Sequence, residues 1–472
     1  MRSVNSIINP LSAVVALASL CAGFTADAVA APIRPHVIVV HFTRGTGPVA
    51  RAADVRAAGG QSAVVTWSHT RLVHLAPGVA VDAALRAIRH RPGVDWAVPD
   101  LVAHTASFLS VSPPNSPPPP PPLGGAWIPN DPDGNGTVGG WQQIQWNFTG
   151  PFGVNAPSAW RNLINDRHPG GSGVVVAVLD SGIAYRDLGR FRRSPDFQPW
   201  QFVRGHDFIS DTSYAVDHNG HGTQVAGTIA EATNNGVGVT GLAYGARLMP
   251  VRVLDSSGAG DAVTIAAGIV YAVNHGARII NMSLDFSTDT TADEIPELLA
   301  AIYYAHRRGV LLVGSAGNEG DSLIDYPARA RYVVAVGATT EHGCLASFSN
   351  FGPGLDLVAP GGGSDTELDD DPNCQPFGNA GRDVFQETFI GSSVRRFGLP
   401  SGYEGTSMAA PHVAATAALI IASGVLGPHP TPEAIVARLK ATARLLGTAA
   451  DRLEYGAGLV DAAAATAPAT AG

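Results

Sequence analysis

The stretch Gly405-Thr406-Ser407-Met408-Ala409-Ala410-Pro411-His412 brings one serine, on a turn of small residues, to the start of an apolar helical run over residues 413–421. A helix N-terminus gathers unpaired N–H groups and positive partial charge, which suits a serine whose chemistry develops an oxyanion. Taken alone, a serine ahead of a helix is an ordinary N-cap. Two upstream stretches change that reading. Val174-Val175-Val176-Ala177-Val178-Leu179 has the form of a buried strand and ends in Asp180-Ser181-Gly182. His218-Asn219-Gly220-His221-Gly222-Thr223-Gln224-Val225-Ala226-Gly227 then opens a second small-residue helix.

Between and beyond these stretches, strand and helix alternate. Strands are expected at 174–179, 248–254, 278–284, 310–315, 332–338 and 355–360, and helices at 222–232, 261–274 and 292–308. Near-continuous apolar strands separated by helices predict an α/β fold, a doubly wound parallel sheet with helices on both faces. Such sheets bind ligands at the carboxyl ends of their strands. Asp180, Ser283 and Asn318 all fall at or just past such ends.

In their order of Asp, His and Ser, the three motifs resemble those of the subtilisin-like serine proteases, the subtilases. The resemblance spans about residues 126 to 465. It implies that Ser407 is the nucleophile, His221 its general base and Asp180 the group that orients the imidazole. Ser315-Ala316-Gly317-Asn318-Glu319-Gly320 resembles the family's oxyanion segment, which makes Asn318 a side-chain donor. His218 is the rival to His221, but the Gly-Thr-x-Val-Ala-Gly tail follows His221, so His218 is expected to be a solvated loop residue. Ser283, Leu284 and Asp285 resemble the strand that pairs with substrate backbone. The chain departs from the family in carrying Asp285-Phe286 where two glycines are common, so Asp285 is expected to favour a basic or polar residue before the scissile bond. Gln224 replaces a common histidine outside the catalytic positions.

No cofactor is implied for the chemistry. A structural calcium is implied by residues 232–239, with the Asn235 side chain and the carbonyls of Thr233, Val237 and Val239 as oxygen ligands. The alternative is a polar turn that holds the helix end. The acidic run at 365–371 reads as a loop insertion, expected to be solvated, with calcium binding as the alternative.

Composition is consistent with export. The 472 residues are 45% apolar and 15% charged, with net charge −9. That balance gives no reason to expect nucleic acid or an acidic membrane as partner. Residues 1–30 have the form of a signal peptide, with Arg2, an apolar run and Ala28-Val29-Ala30. No stable membrane anchor is expected after it, and the product is read as a secreted monomer, extracellular or periplasmic. Cys21 lies in that segment, and its removal leaves Cys344 and Cys374, an even pair expected to form one disulfide, with two free buried thiols as the alternative. Residues 31–111 read as a β-α-β-β-α-β, ferredoxin-like module. It resembles the inhibitory propeptide of subtilases, which acts as an intramolecular inhibitor. Residues 112–125 form a proline-rich linker, and 126–472 the catalytic domain. The maturation bond is expected between 101 and 125.

The reading is therefore a secreted endopeptidase of protein or peptide substrates, made as a self-inhibited precursor. A catalytically silent homologue is disfavoured by the intact set Asp180, His221, Ser407 and Asn318. An esterase is disfavoured because no Gly-x-Ser-x-Gly elbow surrounds Ser407.

Overall fold

In the computed structural model, the residues described are 31–66, 69–106, 108–109, 126–133, 136–368, 370–378, 380–448 and 451–468. The signal segment with Cys21, the proline-rich linker and Asp369 lie outside them. The N-terminal module consists of β1 (Ile33–Phe42), α1 (Pro48–Ala57), β2 (Gly60–Val65), β3 (Thr70–Leu75), α2 (Val81–Ile88) and β4 (Val94–Thr105). Its strands lie antiparallel in the order β4-β1-β3-β2, a ferredoxin-like sheet. The apolar spacing of α2 puts Ala84, Leu85 and Ile88 on one buried face against Ile38, Val40 and Phe42. Strand β4 is the longest of these strands and continues to Thr105.

A short strand β5 (Phe108–Leu109) follows. The helical turns α3 (Trp141–Ile144) and α4 (Trp146–Thr149) and the helix α5 (Ala156–Asn165) then lead into the catalytic core. Trp160 is fully buried there, and its indole N–H donates to the Leu242 carbonyl (2.7 Å).

The core elements are β6 (Val175–Asp180), β7 (His206–Asp207), α6 (His221–Ala230), β8 (Arg247–Arg252), β9 (Ala259–Asp261), α7 (Ala262–Asn274), β10 (Ile279–Met282) and β11 (Leu284–Asp285). They continue as α8 (Pro296–Arg307), β12 (Leu311–Ser315), β13 (Val333–Thr339), β14 (Leu357–Pro360), β15 (Thr388–Phe389), β16 (Phe397–Gly398), β17 (Tyr403–Glu404), α9 (Thr406–Ser423) and α10 (Pro432–Thr442). Seven strands form one parallel sheet in the order β14-β13-β12-β10-β6-β8-β7. Helices α5, α6 and α9 pack on one face, and α7 and α8 on the other. The order reverses at β6, with β8 on one side and β10 on the other. Asp180 is the last residue of β6, at the point where such sheets open a crevice.

Two expected elements are redrawn. The strand expected over 278–284 breaks at Ser283: β10 stays in the parallel sheet, whereas β11 leaves it and pairs with β4. The helix expected from 292 begins at Pro296 after a 3₁₀ turn over Ala292–Glu294, because proline fits the first helical turn, where its missing N–H costs nothing. Helix α9 is long and apolar enough to cross a membrane, yet 89% of it is buried within this core, so it is the fold's central packing helix.

Candidate active site

Asp180 and His221 meet because α6 can approach the end of β6 closely. A side chain on Gly222 would put a Cβ 2.1 Å from the Gly182 carbonyl and 3.0 Å from Asp180 Oδ1, so glycine is required there. His221, the first residue of α6, is thereby held with Nδ1 2.9 and 3.0 Å from the two Asp180 oxygens. Both residues are buried, and Nε2 of His221 has no hydrogen-bond partner among the described residues. Asp217, which the sequence reading did not single out, braces this corner. Its carboxylate accepts from the Ser181 hydroxyl (2.9 Å), the Gly220 N–H (2.9 Å) and the Thr223 N–H (3.0 Å).

His218 is not the solvated residue expected. It is half-buried and stacks on Phe191, ring centroids 4.4 Å apart, and burial pushes its pKa down. Gln224 turns into the core, donating to the Val384 carbonyl (2.9 Å).

Ser407 is the second residue of α9 and is fully buried. Its hydroxyl donates to the Ser283 carbonyl (3.0 Å), and its carbonyl accepts from the Ser283 hydroxyl (2.8 Å). Asn318 follows β12. Its Oδ1 accepts from the Thr406 N–H (2.9 Å) and hydroxyl (3.0 Å), which leaves the amide's NH2 end as its remaining donor.

The site is occupied by the chain itself. β4 lies between β9 and β11, antiparallel to both, with Ala103 opposite Gly260 and Thr105 opposite Leu284. Asp285 pairs with His104 in the same ladder. Further along the chain, β5 pairs antiparallel with β17, which leads into α9. Between these two pairings the Ser407 N–H donates to the Ala106 carbonyl (3.1 Å). The backbone of the N-terminal module therefore runs through the cleft, with the Ala106 carbonyl at the start of α9. Side-chain contacts also tie the module to the core, among them Val39 and Val98 packed on Val263 and the Thr66 hydroxyl donating to Glu297 (3.4 Å). Arg34 forms an ion pair with Asp261, and the Thr70 hydroxyl donates to Glu297 (2.7 Å).

Residues 233–239 form a loop behind α6. The Asn235 amide donates to Asp196 (2.7 Å), and its Oδ1 accepts from the Val237 N–H (2.9 Å). Asp196 also accepts from the Val239 N–H (3.1 Å), and Asp131 accepts from the N–H groups of Asn234 (2.7 Å) and Asn235 (2.9 Å). Neither acid was identified from sequence, since both are distant from the loop in the chain. The acidic run at 365–371 is not simply solvated. Asp365 accepts from the Thr340 hydroxyl (2.5 Å) and His342 (3.0 Å), and Asp371 from the Tyr455 hydroxyl.

Cys344 and Cys374 are joined, as parity predicted, with Cα atoms 4.8 Å apart at a sequence separation of 30. A loop of that length corresponds to about 3 kcal/mol of constraint on the unfolded chain.

Comparison with known proteins agrees with this geometry. The model of the peptidase S8, or subtilase, family matches residues 171–458. Subtilisin Savinase of Lederbergia lenta is 38% identical over 326 residues, covering 69% of this chain and 99% of that protein. A thermophilic serine proteinase of Bacillus sp. (strain AK1) is 33% identical over 344 residues, covering 73% and 67%. Among solved structures, a protease of Pseudoalteromonas arctica matches with a TM-score of 0.57 and 34% identity, over 72% of this chain and 99% of that one. Fervidolysin of Fervidobacterium pennivorans, described as keratinolytic, matches with a TM-score of 0.70 and 23% identity over 93% of this chain and 62% of its own, a likeness of fold. The chain belongs to the subtilase family. It is a subtilisin-like serine endopeptidase, and its chemistry requires no cofactor.

Proposed function

We propose that the chain is a secreted protease made as a self-inhibited precursor, with Asp180, His221 and Ser407 as its triad. Residues 1–30 direct export, residues 31 to about 106 inhibit, and the domain from 126 onward digests protein substrates. The observation that carries this reading is the Ala106 carbonyl on the Ser407 N–H, with β4 laid between β9 and β11. A peptide held by strand addition on one side of a nucleophile, with its carbonyl on an oxyanion donor, is bound as a substrate is.

The chemistry follows from that placement. Ser407 Oγ gives its proton to His221 Nε2 and attacks the Ala106 carbonyl carbon. The oxyanion is held by the Ser407 N–H and the Asn318 amide. Asp180 fixes the imidazole tautomer through Nδ1 and offsets the imidazolium charge. Collapse breaks the Ala106–Ser107 bond, and His221 returns its proton to the departing Ser107 amine. Water then repeats the sequence on the acyl-enzyme and frees the Ala106 carboxylate. The first maturation bond is thus Ala106–Ser107, slightly ahead of the boundary at 111 expected from sequence. Sequencing the N-terminus of the first processed species should give Ser-Phe-Leu-Ser-Val. A first cut elsewhere would overturn the assignment.

A calcium ion fits the loop at 233–239. Among the described residues the carbonyls of Thr233, Val237 and Val239 accept no hydrogen bond. The fully buried Asp196 carboxyl beside them is pushed up to about 9, chiefly by burial, a cost that a hard cation bound by oxygen donors offsets. Asn235, Asp196 and the three carbonyls would hold it, and its role would be to stabilise the fold. Stripping calcium with a chelator should lower the melting temperature by several degrees, since saturation at about 100 Kd stabilises by about 2.7 kcal/mol. Asp196→Asn should abolish the calcium response. Equal melting curves with and without calcium would remove the site.

A further inference from the structure

A cavity of about 290 Å³ opens beneath the residue presented for cleavage. Its catalytic-domain wall is Asp285, Ser287, Thr288, Asn318 and Glu319, with Ala106 at its mouth. Because the Ala106 carbonyl sits on the Ser407 N–H, this cavity is where the residue before the scissile bond places its side chain. A third acid, Asp325, lies behind the wall. It is fully buried, and its Oδ1 has no hydrogen-bond partner among the described residues. The Asn350 amide nitrogen donates to both Glu319 (2.8 Å) and Asp325 (3.2 Å), which ties the two carboxyls together.

We propose that this cavity selects arginine or lysine before the scissile bond, with Asp285 and Glu319 in its wall and Asp325 behind them as the selecting residues. The inference rests on the protease reading above and names its substrate class. No ion pair among the described residues reaches any of the three acids. Burial and then the neighbouring Glu319 carboxyl push Asp325 up to about 10, and burial, with Glu319, raises Asp285 as well. Asp325 is buried, Asp285 partly buried and Glu319 reaches solvent, so three acids gather beside an unfilled space and the buried one is costly without a cation. A guanidinium or ammonium group entering the cavity supplies it, and the Ser287 and Thr288 hydroxyls add hydrogen-bond acceptors.

Ala106 does not contradict this preference. A peptide bond presented within its own chain gains an effective concentration far above that of free substrate, so self-cleavage needs no side-chain anchor. A methyl group at the mouth leaves the cavity open for the substrates that follow.

The test is a peptide library, varied only before the scissile bond, given to the matured enzyme. Arginine and lysine should exceed leucine and phenylalanine in kcat/KM by on the order of 10²-fold. The double variant Asp325→Asn with Glu319→Gln should reduce that ratio by about tenfold or more. Because a variant of buried groups can fail to fold, the wild type is also assayed with benzamidine and its neutral isostere benzamide. Competitive inhibition by the amidine alone is expected. A library profile led by large apolar residues, or equal inhibition by the two compounds, overturns the proposal while leaving the protease reading intact. Matured enzyme that cleaves no peptide at all overturns the protease reading itself.

Discussion

Replacing Ser407 by alanine should leave the chain at full length and unable to digest casein. Turnover should fall on the order of 10⁶-fold, the magnitude seen when subtilisin itself loses its nucleophile or base. The size of the effect follows from the geometry. His221 Nε2 has no hydrogen-bond partner among the described residues, so it is free to accept the Ser407 proton, and Asp180 holds the opposite ring nitrogen at 2.9 Å. Without Oγ, nothing at the Ala106 carbonyl can accept the bond. Oγ at present donates to the Ser283 carbonyl, so that hydrogen bond must break before His221 can take the proton. Gel electrophoresis of the secreted precursor beside the wild type decides the matter. A Ser407→Ala chain still processed in pure preparation would remove Ser407 from the maturation step.

Asn318→Ala should lower turnover by roughly 10²–10³, with the Michaelis constant changed much less. The donor it removes acts on the oxyanion more than on the ground-state carbonyl, so the loss falls on kcat. The same substitution also deletes the Oδ1 acceptor for the Thr406 N–H and hydroxyl. A melting curve separates the two effects. Unchanged stability with slow turnover identifies the donor role, and equal losses in both would reduce Asn318 to a brace for the start of α9.

Much of this was legible in the sequence. Six of the seven strands of the parallel sheet carry an apolar signature, all but the two-residue β7, and the three motifs single out Asp180, His221 and Ser407 by order and context. Position and hydrophobic periodicity marked the N-terminal module as well. Contacts made across long sequence distances were not legible. Asp325 lies 40 residues beyond Asp285, and nothing local marks it as part of the same pocket. Asp131 and Asp196 likewise reach the loop at 233–239 only through the fold. The two- and three-residue strands β5, β9, β11 and β17 are too short to show a period. They exist because a partner strand lies against each of them, so the bound tail defines them. The maturation bond proposed above rests on the contact between Ala106 and Ser407, which no local signal marks.

The ladder that holds β4 between β9 and β11 is made of backbone, and backbone is the same whatever the residue. The tail of the N-terminal module can therefore drift in sequence over evolutionary time and still pair in the cleft, provided it stays extended and free of proline where N–H groups donate. Recognition of one's own catalytic domain then falls to side chains outside the ladder: Arg34 with Asp261, Thr66 and Thr70 with Glu297, and Val39 and Val98 packed on Val263. Exchanging those pairs between relatives should redirect which module silences which enzyme, without altering the cleft.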